Sequence, residues 1–205
     1  MKYDNVIELL LPPHASQSGL VGYGIGTNSC TAISVLACVA TVQESLLSSN
    51  VIANPDEIVS RYCGVIAEGN MLYENIDPSA DTPNLMVEDV IEQSDVEVYM
   101  PQPMIPIVDA DQLASSLITL SKLSPIVTCV LIVSPDKAMA LCIVRGSIWV
   151  FDSHRHLERG ALIAFASKIY IHEFCQYLTL VCAKYFGSGV NGSNLIHLEK
   201  INRSL

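Results

Sequence analysis

A chain of 205 residues, half of them hydrophobic and 16% charged, is long enough for one domain with a substantial core and too apolar to be largely disordered. Its formal net charge of −10 argues against nucleic acid as a partner, because the cations that displace counterions from phosphates are scarce. The longest apolar runs are strand-sized, and no basic segment leading into an apolar core opens the chain, so neither a membrane span nor a signal peptide is expected.

After a short apolar segment at 6–11, residues 12–27 carry Pro, Ser and the glycines Gly19, Gly22, Gly24 and Gly26, which reads as a loop. Asn28 and Ser29 then precede an Ala-rich apolar run, 32–47, suited to a helix of about five turns, with Cys30 in its first turn. Asn54-Pro55-Asp56-Glu57 marks a second helix start: a cap, Pro at N1, then acids at the positive end of the dipole. Residues 69–81, with Gly, Asn, Asp and Pro, are expected to be a loop. Thr82-Pro83 opens a third helix through Ile91, and Asp109 or Asp111 caps a fourth ending near Leu123.

The texture changes at 126. Runs at 126–133, 138–144 and 148–151 are separated by Ser-Pro-Asp-Lys and by Arg145-Gly146-Ser147, which is turn chemistry between antiparallel strands. Residues 161–166 favour a further strand, and 167–186 a helix stopped by Gly187 and Gly189. The expected fold is α+β, a single domain over 1–205, with a helical part at about 28–123, a sheet at about 126–166 and a closing helix at about 168–186.

Seven cysteines, an odd number without C-x-x-C, mostly inside apolar runs, point to a reducing compartment such as the cytoplasm and to no zinc or thioredoxin-type pair. Charge is uneven. Between Arg61 and Lys122 there is no Lys or Arg, while eleven acids fall there, from Glu68 to Asp111. Such a face suits a basic partner, although solvated acidic surfaces are common.

Three pieces carry chemistry. A thiol in the first turn of a helix is placed where unpaired N–H groups and the dipole favour thiolate, and the glycine-rich approach leaves room for a narrow substrate. Phe151-Asp152-Ser153-His154 closes an apolar strand, and residues two apart share a face, so the carboxylate can orient the imidazole. His156 shares the alternation and is a second candidate base. Gln17, 13 residues before Cys30, can supply an amide donor to an oxyanion. Packing alone explains any one of these pieces; together they read as a cysteine hydrolase with Cys30, His154 and Asp152. The Gly22-x-Gly24-x-Gly26 pattern lacks a Walker lysine, no G-x-S-x-G or H-E-x-x-H occurs, and a metal on Asp152, His154 and His156 is short of ligands. No cofactor or metal is called for.

Gln17, then Gly26-Thr27-Asn28-Ser29-Cys30 at a helix start, then Trp149-Val150-Phe151-Asp152-Ser153-His154-Arg155-His156 and Gly160-Ala161, resemble the deubiquitinase domain of the herpesvirus large tegument protein and related tegument-like deubiquitinases. The likeness covers the frame from about 14 to 185, and the middle only in helical character. It implies a papain-like fold and hydrolysis of (iso)peptide bonds after the C-terminal glycine of ubiquitin or ubiquitin chains. Cys30 is then the nucleophile, His154 base and acid, Asp152 its orienter, and Gln17 the oxyanion donor. Gly26, Asn28 and Ser29 would border the channel for a Gly-Gly tail, and acids such as Glu68, Glu74, Asp77 and Asp81 would meet ubiquitin's basic surface. A monomer is expected. The competing readings are a protease for a ubiquitin-like modifier, another Cys-His-Asp enzyme such as a deamidase or acyltransferase, and a non-catalytic ubiquitin-binding module.

Overall fold

The computed structural model describes residues 3–20, 28–42, 55–77, 85–94, 96–134, 137–186 and 189–200. In chain order these form β1 (Val6–Leu10), α1 (Cys30–Val42), α2 (Pro55–Ile76), α3 (Val87–Gln93), β2 (Val98–Tyr99), β3 (Ile105–Pro106), α4 (Ala110–Leu123), β4 (Val127–Ser134), β5 (Lys137–Val144), β6 (Ser147–Asp152), β7 (Leu162–Ser167), α5 (Ile171–Phe186) and β8 (Asn194–Lys200). One antiparallel sheet runs β1-β7-β6-β5-β4-β8-β2, with β3 also on β8.

The meander β4-β5-β6-β7 forms where turn chemistry separates the apolar runs. At the β5–β6 turn Arg145 (φ 49°) and Gly146 (φ 79°) both adopt left-handed backbone, the two-residue geometry that matches strand twist. Every residue of β5 is buried, because helices cover both faces of the sheet. That is why the run reads as continuously apolar rather than alternating. On one face α1 and α2 pack over Cys129, Leu131, Ala140, Cys142, Trp149, Phe151 and Ile163. On the other, α4 and α5 cover Val130, Ile132, Leu141, Ile143, Ile148, Val150 and Ala164. Cys38, Cys129 and Cys142 meet in the first of these cores and pack there as small apolar side chains.

Two expectations need correction. Residues 69–76 are not a loop: α2 runs through them to Ile76, because Gly69 and Asn70 are buried against α1 and tertiary packing outweighs their low helix propensity. The sheet also extends beyond the meander, gaining β1 on β7 and β8 on β4. The expected second half of the first helix, the Pro83 helix start and the Ser-Pro-Asp-Lys turn fall wholly or partly outside the described residues, whereas the Asp109 cap is found, accepting from the Gln112 N–H at 2.7 Å. No helix among the described residues is long and apolar enough to cross a membrane.

Candidate active site

Cys30 is the first residue of α1, which lies on β4, β5 and β6 with its N-terminus at the end of β6 where Asp152 stands. Past Asp152 the chain leaves the strand and bends. The Asp152 carboxylate drives that bend: its Oδ1 accepts the His154 backbone N–H at 3.0 Å and the His154 ring Nδ1–H at 2.6 Å. The ring is thereby folded back onto the strand end, where Cys30 lies close enough to influence its protonation. His154 and Asp152 therefore share a face through an Asx-type turn, not through strand alternation as the sequence suggests.

Asp152 is 1% exposed, and its second oxygen lies 3.2 Å from Nε2 of His156, itself buried and edge-on to the Tyr185 ring. His156 thus buttresses the carboxylate from behind, and His154 is the imidazole that meets the thiol. Burial alone would raise the Asp152 carboxyl; His154 and His156 more than reverse this and hold it well below the usual carboxylate range. Burial alone would likewise depress His154, but the Asp152 carboxylate first, and Cys30 second, push it up to about 10. Burial drives Cys175 and Cys182 up to about 12 and also raises Cys63. Among the described residues Cys30 is the thiol paired with an imidazole.

Gln17 is brought to the same place from the N-terminal loop. Its backbone N–H donates to the Ser153 carbonyl at 2.9 Å, and its Oε1 accepts from the Ser153 hydroxyl at 3.0 Å. The loop is stitched down by Leu11 N–H to Ala161 O at 2.8 Å, Gly160 N–H to Leu11 O at 2.9 Å and Ala161 N–H to Ala15 O at 2.7 Å. Gly160 permits this approach, since a Cβ there would stand 2.1 Å from the Pro12 carbonyl oxygen. The structure thus brings Asp152 and His154 together beside Cys30, with the loop carrying Gln17 held against Ser153.

The remaining candidates separate. Ser29 is buried and its hydroxyl donates to Asn70 Oδ1; Asn28 hydrogen-bonds Tyr73. Gly26 lies outside the described residues, as does Asp81. Glu74 is exposed in the last turns of α2, the end that reaches the site, while Glu68 lies further along, in a groove with Leu36, Val39 and Met71. Sequence reasoning misses Asn70 and Tyr73. Their placement depends on the antiparallel packing of α2 on α1, which no local signal announces. An apolar groove of about 310 Å³, lined by Leu85, Val87, Met104, Val133 and Ile196, adjoins Thr31, the residue after Cys30.

A thiol at a helix start, facing an imidazole that a carboxylate at a strand end holds, on an antiparallel sheet, is the papain-like cysteine-protease arrangement, and solved structures similar to this chain have that fold. No protein-family model matches the chain, and no curated protein matches it by sequence. One similar structure is the ubiquitin-specific protease encoded by a murine cytomegalovirus tegument protein, in complex with a ubiquitin-based suicide substrate: TM-score 0.64 at 13% identity, over 97% of this chain and 89% of that one. A second is the Pseudomonas avirulence protein AvrPphB, TM-score 0.51 at 11% identity, over 84% and 92%. A third is the cysteine protease-like domain of the Photorhabdus asymbiotica toxin PaTox, TM-score 0.52 at 12% identity, over 98% of this chain and 57% of that one.

Proposed function

We propose that this chain is a deubiquitinating cysteine protease that hydrolyses the (iso)peptide bond after the C-terminal glycine of ubiquitin. The observation that carries the reading is the His154–Asp152 contact at 2.6 Å on a ring that Cys30 lies beside. The likeness to a protease in complex with a ubiquitin-based substrate supports ubiquitin as the partner.

In this mechanism Cys30 Sγ, having passed its proton to His154, attacks the glycine carbonyl carbon. The oxyanion receives hydrogen bonds from the Gln17 amide and the Cys30 backbone N–H. His154 Nε2 then gives its proton to the leaving lysine amine as the C–N bond breaks. Water, deprotonated by His154, next hydrolyses the thioester and frees the thiol. Asp152 keeps Nδ1 protonated throughout, so that Nε2 is the nitrogen that exchanges protons. Glu74 and Asp77, near the catalytic end of α2, meet basic residues of the substrate, and the apolar groove beside Thr31 takes the leucine of its Leu-Arg-Gly-Gly tail.

The test is hydrolysis of a ubiquitin C-terminal fluorogenic amide beside the same amide of ubiquitin-like modifiers. Cys30-dependent turnover of the ubiquitin amide is expected. Turnover restricted to a ubiquitin-like modifier would replace the substrate but keep the chemistry.

A further inference from the structure

Asn70 is fully buried on α2, and its amide bridges two parts of the site that the chain leaves far apart. Its Nδ2–H donates to the Gln17 backbone carbonyl at 3.0 Å, and its Oδ1 accepts from the Ser29 hydroxyl. The first partner carries the oxyanion donor, and the second immediately precedes the nucleophile. Gln17 and Ser29 are thus tied to one another by a side chain from a third element.

The approach of that element depends on Gly69. A Cβ there would lie 2.5–2.9 Å from Ile33 Cγ1, Cα and N, one turn into α1. A helix packed this closely places the next side chain at the start of its neighbour. Gln17, meanwhile, meets Ser153 twice, through its backbone N–H and through Oε1. Ser153 thus holds the Gln17 backbone N–H and its Oε1, and Asn70 holds its backbone carbonyl, so the loop is fixed from both sides. An apolar residue could fill the same volume, so packing alone gives no reason for an amide that satisfies both neighbours.

We propose that Asn70 is a positioning residue for the oxyanion hole: it acts through Gln17, holding that loop against the start of α1 so that the Gln17 amide and the Cys30 N–H converge on one oxygen. The proposal rests on the cysteine-hydrolase reading of the site but not on ubiquitin as its substrate.

Two reagents separate this role from a structural one. With p-nitrophenyl acetate, Cys30 Sγ attacks the carbonyl carbon, the π pair moves to oxygen as an oxyanion, and collapse expels p-nitrophenolate to leave a thioester. With iodoacetamide the sulfur displaces iodide from carbon, and no oxyanion forms. Asn70→Ala should slow acylation of Cys30, followed by mass spectrometry, by at least about tenfold while changing alkylation by less than about threefold. In a Gln17→Ala background the acylation defect should vanish, because the donor being positioned is gone. If circular dichroism shows Asn70→Ala unfolded, Ser29→Ala, which removes one end of the bridge, is read instead and should give the same signature at smaller size.

The proposal is overturned if acylation and alkylation fall together, if neither changes, or if the Asn70 and Gln17 effects add. Wild type that is not acylated at Cys30 overturns it together with the hydrolase reading. Wild type that is acylated by the ester but inert toward ubiquitin amides removes the ubiquitin reading alone.

Discussion

Asp152 carries two imidazoles on one buried carboxylate, and the site's pH behaviour follows from that. The His154 imidazolium is stabilised by Asp152 against the cost of burial, so its proton is held until pH approaches about 10. Its folded pKa lies above the unfolded value, so the stability it contributes is complete below roughly pH 6.5 and lost as pH rises toward about 10. Asp152 has the opposite sign. Its contribution is present above roughly pH 4 and is lost as pH falls through its depressed value. The pH–rate profile should therefore have an alkaline limb near 10, and Asp152→Asn should move that limb below neutrality. The same change should lower kcat by roughly 10²- to 10⁴-fold by freeing the ring and its tautomer. An unmoved limb in the variant would show that Asp152 does not set the state of His154. These residues are legible in the sequence because the strand-end motif brings acid and base within two positions of each other. The Asx-type turn that joins them is not legible, since alternation alone predicts the same pairing by a different geometry.

At the scale of elements, two glycines let the catalytic parts approach. Gly69 seats α2 on α1, and Gly160 lets the Gln17 loop lie against the chain that follows His156. Gly69→Ala must displace Ile33 backbone atoms and should destabilise by about 1–3 kcal/mol in chemical denaturation. Gly160→Ala meets two carbonyl oxygens at 2.1 and 2.4 Å and should cost more, with a loss of acylation that exceeds the loss of stability because Gln17 moves with the loop. A Gly160→Ala protein with wild-type acylation would show that the loop's seat does not position Gln17. The helix starts at Cys30, Pro55 and Ala110 and the meander from Val127 are readable from caps, Pro placement and turns. The strand β8 is not. It is buried on both faces for most of its length, so it lacks alternation, and its partner β4 lies some sixty residues earlier. Likewise Gly69-Asn70 reads locally as a loop signal, and its real role appears only when α1 lies beside it.

For the whole molecule, charge and topology act together. The stretch 62–121 has no basic residue, and α2 brings Glu74, with Asp77 just past its end, toward the end of the molecule that carries Cys30. If ubiquitin is the partner, Glu74→Lys should raise KM several-fold at low ionic strength, lose most of that effect at high salt and leave kcat nearly unchanged. A KM that stays put at all salt concentrations would detach the acidic surface from substrate binding. The likeness to solved structures at 11–13% identity lies in the arrangement of sheet and helices, while the proposed chemistry rests on Cys30, His154, Asp152 and Gln17. The most direct test is incubation with ubiquitin bearing a C-terminal thiol-reactive warhead, comparing wild type with Cys30→Ala and mapping the modified residue by mass spectrometry. The account predicts one covalent adduct, at Cys30 and in wild type alone. Folded wild type that forms no adduct, or an adduct that persists in Cys30→Ala, would contradict it.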